Sequence, residues 1–230
     1  PEDQPLTPQH LSGLDQFHTR GLAATAELAQ LAGITAGMSV LDVGSGVGGP
    51  ARFLAATVGC RVTGVDLSEP FVDAARYLTQ RTGQSEQVSF QTASALELPF
   101  DGSSFDAVLL QHVAMNIADR ARLYQEIRRV LKPRGRFATY DVVANGSEPH
   151  YPVPWAQAPT TSFLLTADAT RTAIEQAGFR TLACHDDTQA AKAWAAQLRE
   201  SGPPPSPNLG VLMGPGFGQL LANLARNLLE

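Results

Sequence analysis

A carboxylate followed by a run of glycines is the part of this chain best suited to chemistry. Asp42 ends an apolar run, and four of the six residues at 44–49 are glycine. Glycine adopts a positive φ readily and has no Cβ, so such a turn lets backbone N–H groups approach a ligand closely. Pro50 suits the first turn of a following helix. The segment therefore predicts a strand, a glycine turn and a helix around a nucleoside-bearing cofactor.

The glycine turn fits two cofactor templates. Residues 44–49 satisfy the dinucleotide pattern G-x-G-x-x-G, and Asp66 follows near the position of a ribose-binding acid. Residues 42–48 also satisfy the pattern acid-x-G-x-G-x-G, in which Asp42 is the acid. A carboxylate beside the turn attracts an ammonium group and repels a pyrophosphate. The electrostatics therefore favour S-adenosylmethionine over NAD(P).

Composition limits the classes to which the chain can belong. Its 230 residues are 43% apolar, which is enough for a full core, and 17% charged, which is low and unlike a disordered chain. The net charge of −5 argues against a nucleic-acid partner, and no apolar run is long enough to span a membrane. Cys60 and Cys184 lack metal-binding or redox spacing, so we expect no metal and a reducing, cytoplasmic setting. We expect a monomer or a homodimer.

Strand-like apolar runs alternate with helical stretches along the chain, which predicts an α/β fold with a doubly wound, Rossmann-like parallel sheet. The predicted strands are 38–43, 61–66, 87–91, 105–111, 135–143 and 180–186. The predicted helices are 50–58, 70–82, 119–131, 166–177, 188–200 and 219–229, preceded by one or two helices over 8–32 that break near Gly13 and Gly21. In such sheets the ligand lies beyond the carboxyl ends of the strands.

Four motifs in order give the chain a family resemblance. They are VLDVGSGVGGPARFLA at 40–55, GVDLS at 64–68, LPF with SFDAV at 98–108, and VLKPRGR at 130–136. Together they resemble class I S-adenosylmethionine-dependent methyltransferases across residues 36–143. More narrowly, the chain is similar to the small-molecule branch that includes sarcosine/dimethylglycine and tocopherol-type enzymes.

The resemblance implies one methyltransferase domain with an N-terminal helical lid. We expect the lid at 1–35, the cofactor-binding core at 36–143, a substrate-side loop at 144–165 and the rest of the sheet with its helices at 166–230. Sheets of this family close with an antiparallel seventh strand between strands five and six. No strand is predicted after the last helix, so we expect the seventh strand to be missing from the residues given.

The resemblance also implies where the cofactor is held. Asp42 and the loop 44–48 would hold the methionine moiety, and Asp66 would accept hydrogen bonds from the ribose hydroxyls. Many relatives carry an aspartate where Ser94 stands, so the resemblance does not carry over a contact with the adenine amino group at this position. The cofactor-binding residues expected in this way are Asp42, Gly44, Ser45, Gly46, Gly48, Asp66, Leu67, Ser94, Ala95, Leu96 and Gln111.

Methyl transfer is an in-line displacement, in which orientation and desolvation can contribute ~7–11 kcal/mol. A general base is needed only when the acceptor must lose a proton. His112 is the first candidate for this base, because it lies at the end of a strand and can titrate near neutrality. The alternative is that His112 only orients the loop. His18 in the lid is the second, with an ordinary contact between helices as its alternative. Many relatives place a histidine where Asn116 stands, so Asn116 is the third.

These patterns predict an enzyme that transfers a methyl group from S-adenosylmethionine to an N or O atom of a small molecule. C-methylation stays open, because the acceptor is selected outside the cofactor motifs. Two alternatives stay open at this point. One is an NAD(P)-dependent oxidoreductase, and the other is a methyltransferase-like binding module without catalytic activity.

Overall fold

A computed structural model describes residues 6–201 and 208–229 and contains a parallel five-stranded sheet with helices on both faces. The strand order is β3-β2-β1-β4-β5. The strands are β1 Ser39–Val43, β2 Arg61–Asp66, β3 Val88–Thr92, β4 Phe105–Gln111 and β5 Leu131–Tyr140. The helices are α1 Pro8–Asp15, α2 Gly21–Ala32, α3 Gly49–Val58, α4 Glu69–Arg81, α5 Arg120–Val130, α6 Ala167–Gln176, α7 Thr188–Ser201, α8 Gly210–Met213 and α9 Phe217–Leu229.

The core lies on both faces of the sheet, which confirms the predicted fold class. Side chains alternate along a strand, so Val40 enters one apolar cluster, and Leu41 and Val43 enter the other. Both faces of β1 are therefore buried, as expected for a central parallel strand covered by helices. This burial holds the carboxyl end of β1, and the glycine turn after it, in the middle of one sheet edge.

The fifth strand begins and ends earlier than predicted. β5 starts at Leu131, immediately after α5, and a register shift opposite Phe105 and Ala107 absorbs the Lys-Pro-Arg-Gly segment. The strand stops at Tyr140 because the next carboxylate, Asp141, accepts backbone N–H bonds at 113 and 114 after β4. Tyr140 therefore lies at the carboxyl end of the sheet.

The predicted sixth strand is wrong. Residues 180–186 form no ladder with any described residue, and all of them are exposed. In the topology that the resemblance implies, the sixth strand pairs with the seventh, and the described residues contain no strand after Tyr140. A segment with no partner backbone has no ladder to join.

The N-terminal residues form two helices, where the sequence predicted one or two. The break lies at residues 16–20. Its last residue, Arg20, has a φ of 63°, and the first residue of α2, Gly21, has a φ of 49°, whereas Gly13 continues α1. α1 packs against α3, and α2 packs against α3 and β5. Across the described ranges, no helix is both long and apolar enough to cross a membrane.

Candidate functional site

The glycine loop closes on itself through the end of β2. The backbone N–H groups of Gly44 and Ser45 both donate to the Val65 carbonyl, at 2.8 and 2.9 Å. Gly44 has a φ of 75°, and a Cβ there would lie 2.2 Å from Val113 Cγ2. Gly48 has a φ of 83°, and its Cβ would lie 2.4 Å from the Phe90 ring. Only glycine fits these two positions.

Asp66 joins the loop to the neighbouring strand. Its Oδ2 accepts from the Gly46 N–H at 2.8 Å, and its Oδ1 accepts from the Ser68 N–H at 2.9 Å. The next residue, Leu67, is a large apolar side chain that is 77% exposed. A carboxylate beside an exposed apolar surface suits a ligand with hydroxyl groups next to a flat apolar ring.

Asp42 is a buried carboxylate at the end of β1. Its Oδ2 has no hydrogen-bond partner among the described residues. Burial, with a smaller contribution from Asp66, raises the pKa of Asp42 to about 7. A buried, unpaired carboxylate oxygen is costly, and a cationic donor would remove that cost. The site therefore fits a ligand with a positively charged group.

The remaining predicted cofactor residues lie in the turn after β3 and at the end of β4. Ser94 Oγ accepts from the Leu96 N–H at 3.2 Å, and Ala95 and Leu96 pack partly against the core. Gln111 is buried, and its Nε2 donates to Thr25 Oγ1 at 3.3 Å. The structure thus places these residues at the same edge of the sheet as the glycine loop.

Two predicted histidines come together with two residues that the sequence did not single out. His18 and His112 have ring centroids 6.1 Å apart, and His112 stacks on Tyr140 at 5.4 Å. Thr19 Oγ1 lies within hydrogen-bond distance of Tyr140 Oη, at 2.9 Å. The end of β5 was predicted three residues too late, which concealed the position of Tyr140 at the strand end.

His18 has a defined tautomer. Its Nε2 lies 3.0 Å from the Gly21 carbonyl, so that nitrogen carries the proton and donates, which leaves Nδ1 of the neutral ring as an acceptor. Burial lowers the pKa of His18 to about 4. Thr25 Oγ1 lies 3.0 Å from the same nitrogen and thereby links His18 to Gln111.

His112 occupies a strained turn directly after β4. Its φ is 54°, in the left-handed region, and its N–H donates to the Tyr140 carbonyl at 2.8 Å. Non-glycine residues in this region occur preferentially at functional sites. Burial, followed by the proximity of His18, lowers the pKa of His112 to about 3. The expectation that His112 titrates near neutrality is therefore wrong.

Asn116 is not part of this cluster. It ends the short 3₁₀ turn Ala114–Asn116 and is exposed. Its side chain forms no hydrogen bond with any residue that the structure describes, and only its backbone N–H is engaged, by the Val113 carbonyl at 2.9 Å. Asn116 thus lies outside the contacts that join His18 and His112, and its catalytic role stays a prediction.

The predicted substrate-side loop, 144–165, is docked on the C-terminal helix. The His150 N–H donates to Asn227 Oδ1 at 2.8 Å, and Asn223 Nδ2 donates to the Pro152 carbonyl at 2.8 Å. Trp155 Nε1 donates to Ser162 Oγ at 3.0 Å within the loop. Side chains of α9 therefore hold the loop by hydrogen bonds to the loop's backbone.

Comparison with known families and curated proteins gives matches to methyltransferases. Residues 41–139 match the family described as methyltransferase domain. The chain is 36% identical over 136 residues to methyltransferase GfsG of Streptomyces halstedii, covering 59% of this chain and 49% of that protein. It is 41% identical over 114 residues to sterol 24-C-methyltransferase ERG6B of Gibberella zeae, covering 50% and 30%. The chain thus spans about half the length, or less, of these curated relatives.

Solved structures extend the similarity beyond the cofactor core. The crystal structure of the (4+2)-cyclase SpnF is 26% identical, with a TM-score of 0.70, and the match covers 90% of this chain and 73% of that one. Other structures of the same fold contain S-adenosylmethionine or S-adenosylhomocysteine. A glycine/sarcosine/dimethylglycine N-methyltransferase also matches, as the sequence resemblance predicts.

Proposed function

We propose that this chain, whose residues 41–139 match the methyltransferase domain family, is a class I S-adenosylmethionine-dependent methyltransferase. It transfers a methyl group from S-adenosylmethionine to an N or O atom of a small molecule. The observation that carries the proposal is Asp42, a buried carboxylate with an unpartnered oxygen beside a glycine loop. A dinucleotide would bring a pyrophosphate to this carboxylate and be repelled.

The residues at the edge of the sheet fit this cofactor. Asp42 and the loop 44–48 would hold the methionine moiety, because Asp42 Oδ2 needs a cationic donor. Asp66 would hold the ribose hydroxyls, since each of its oxygens accepts only one N–H bond and keeps further acceptor capacity. Leu67 would cover the adenine, with residues 94–96 at its border.

Orientation of the acceptor is the task left to the protein. When bound, the cofactor supplies a methyl carbon already activated by a positive sulfur. At neutral pH both His18 and His112 are uncharged, because burial lowers the pKa of each. A neutral imidazole accepts a hydrogen bond from an N–H or O–H group and so directs the acceptor's lone pair. Such weakly basic rings suit positioning better than proton abstraction.

The proposed activity is tested by ligand binding followed by turnover. We expect isothermal titration to detect S-adenosylhomocysteine with micromolar or tighter affinity and to detect no NADH or NADPH. Methyl-labelled S-adenosylmethionine should then label members of a panel of amines, phenols and alcohols. Binding of NAD(P)H without S-adenosylhomocysteine would support the oxidoreductase instead. S-adenosylhomocysteine binding without turnover on any acceptor would support the non-catalytic module.

Replacing the strained histidine separates positioning from base catalysis. His112→Asn keeps a residue that tolerates φ of 54°, but removes the imidazole. We expect kcat to fall by ~10²-fold while the Kd for S-adenosylhomocysteine changes less than about twofold. Because the pKa of His112 is about 3, His112 should not change its charge between pH 5 and 8. It should therefore add no limb to the wild-type profile of kcat against pH in that range. A limb near pH 6.5 that disappears in the variant would contradict this role.

We further propose a reducing, cytoplasmic setting. Cys60 is buried and Cys184 is exposed, and both are free thiols. An exposed unpaired thiol is typical of proteins kept under reducing conditions.

A further inference from the structure

A buried ion pair connects the lid to the cofactor loop. Asp15, the last residue of α1, lies 2.9 Å from Arg52 of α3, and the two side chains are 1% and 0% exposed. The desolvation of two buried charges makes such a pair weak evidence for stability. Arg52 Nε also has no partner among the described residues. The pair is therefore better explained by the segments that it holds in place than by a gain in stability.

On one side, the guanidinium supports the glycine loop. Arg52 Nη2 donates to the Val47 carbonyl at 2.7 Å as well as to Asp15 Oδ2. A Cβ at Gly48 would lie 2.7 Å from Arg52 Nη1. One nitrogen thus binds the loop and the lid together.

On the other side, Asp15 sets the start of the lid turn, defined here as residues 16–19. Its Oδ1 accepts from Gln16 Nε2 at 2.9 Å. Its carbonyl oxygen would lie 2.1 Å from a Cβ at Gly49, so the end of α1 rests directly on the first residue of α3.

The lid turn then crosses the site. Phe17 lies 3.4 Å from the Cβ position of Gly46 and packs against Phe71 at 5.6 Å. His18 and Thr19 follow and join the cluster with His112. The contact made by Asp15 therefore lies two to four residues before the contacts that Phe17, His18 and Thr19 of the lid turn make with the site.

We propose that Asp15 and Arg52 are positioning residues whose ion pair holds the lid turn over the glycine loop, so that cofactor affinity depends on the pair. The inference rests on the proposed function in one respect, namely that the glycine loop binds S-adenosylmethionine. Neither residue belongs to the set expected to contact the cofactor or the acceptor.

The experiment combines binding with a readout of the lid turn itself. Asp15→Asn, Arg52→Gln and the double variant are titrated with S-adenosylhomocysteine and digested with chymotrypsin, which cleaves after Phe17. We expect each single variant to weaken binding at least tenfold and to speed cleavage after Phe17 at least fivefold. The double variant should be no worse than Arg52→Gln alone, because that variant has already lost the contact that Asp15→Asn breaks. Asp168→Asn, which breaks the exposed Arg171 pair, is the control and should change neither readout.

A second variant keeps the test decisive if removal of a buried charge prevents folding. Gly49→Ala leaves both charges in place but directs its Cβ at the Asp15 carbonyl. We expect the same loss of affinity and the same faster cleavage. A lower melting temperature with affinity within twofold and unchanged cleavage, in Asp15→Asn or in Gly49→Ala, would overturn the proposal. If the wild type binds no S-adenosylhomocysteine, the proposed function fails, and cleavage after Phe17 still tests the lid contact.

Discussion

Asp42→Asn should abolish detectable binding of S-adenosylhomocysteine while making the ligand-free protein more stable at pH 8. The carboxylate is buried, and its Oδ2 has no partner among the described residues. Asparagine removes the charge that would meet the ligand's ammonium group. It also removes the cost of an unpaired buried anion in the ligand-free protein.

The stability effect has a definite sign. Burial raises the pKa of Asp42 from 3.8 to about 7, so between these values the folded protein holds a proton that the unfolded chain has lost. Loss of this proton as the pH rises through this window therefore lowers the free energy of unfolding by up to about 4 kcal/mol. Wild type and Asp42→Asn should differ little at pH 4 and most at pH 8. Chemical denaturation at both values measures the difference.

The same shift predicts proton release on binding. An ionised Asp42 attracts the ligand's ammonium, so affinity should rise with pH and level off above about pH 7. Titration calorimetry near pH 6 in buffers of different ionisation enthalpy should detect nearly one released proton. Asp73→Asn, at an exposed position on α4, is the matched control and should behave as wild type. Full affinity in Asp42→Asn would contradict the proposed role of the carboxylate.

Gly44→Ala should unfold at a lower temperature and lose cofactor binding. Its φ of 75° strains any other residue by ~1 kcal/mol. Its Cβ would also lie 2.2 Å from Val113 Cγ2, and such overpacking costs ~1–3 kcal/mol. The expected loss in the free energy of unfolding is therefore about 2–4 kcal/mol. Because Val113 follows His112, the clash should also displace the turn that carries the histidine.

Two further variants divide this loss between strain and clash. Gly46→Ala has a φ of 53° but a Cβ 3.4 Å from Phe17, so it should lose only the strain component. Adding Val113→Ala to Gly44→Ala should recover the free energy of unfolding that was lost to the clash, minus the cost of the smaller side chain. Denaturant unfolding gives each value. Equal losses for Gly44→Ala and Gly46→Ala would show that the contact with Val113 is not restrictive.

Local patterns predicted much of the cofactor half of the site. The order of Asp42, the glycine turn and Asp66 indicated strand ends at one edge of a parallel sheet, and the structure brings them together there. β2 and β4 have the predicted bounds. The sixth strand at 180–186 was wrong because a strand depends on a partner far away in the chain, and local propensity does not supply one.

The acceptor side was predicted less well for the same reason. Thr19 and Tyr140 are 121 positions apart, and no local pattern relates them. Their proximity depends on α2 packing against β5 and on β5 ending at Tyr140. The lid contact between Asp15 and Arg52 likewise joins two helices that are separate in sequence.

The sequence by itself pointed to S-adenosylmethionine as the proposed cofactor, because glycine's freedom in φ, the placement of one carboxylate and the motifs that follow are properties of short runs of adjacent residues. Only the tertiary structure decided the charge of the site. Burial makes His18 and His112 neutral and raises the pKa of Asp42 to about 7, and burial results from packing of the whole fold. It also decided which lid residues lie over the glycine loop, because that contact requires α1 and α3 to be packed together.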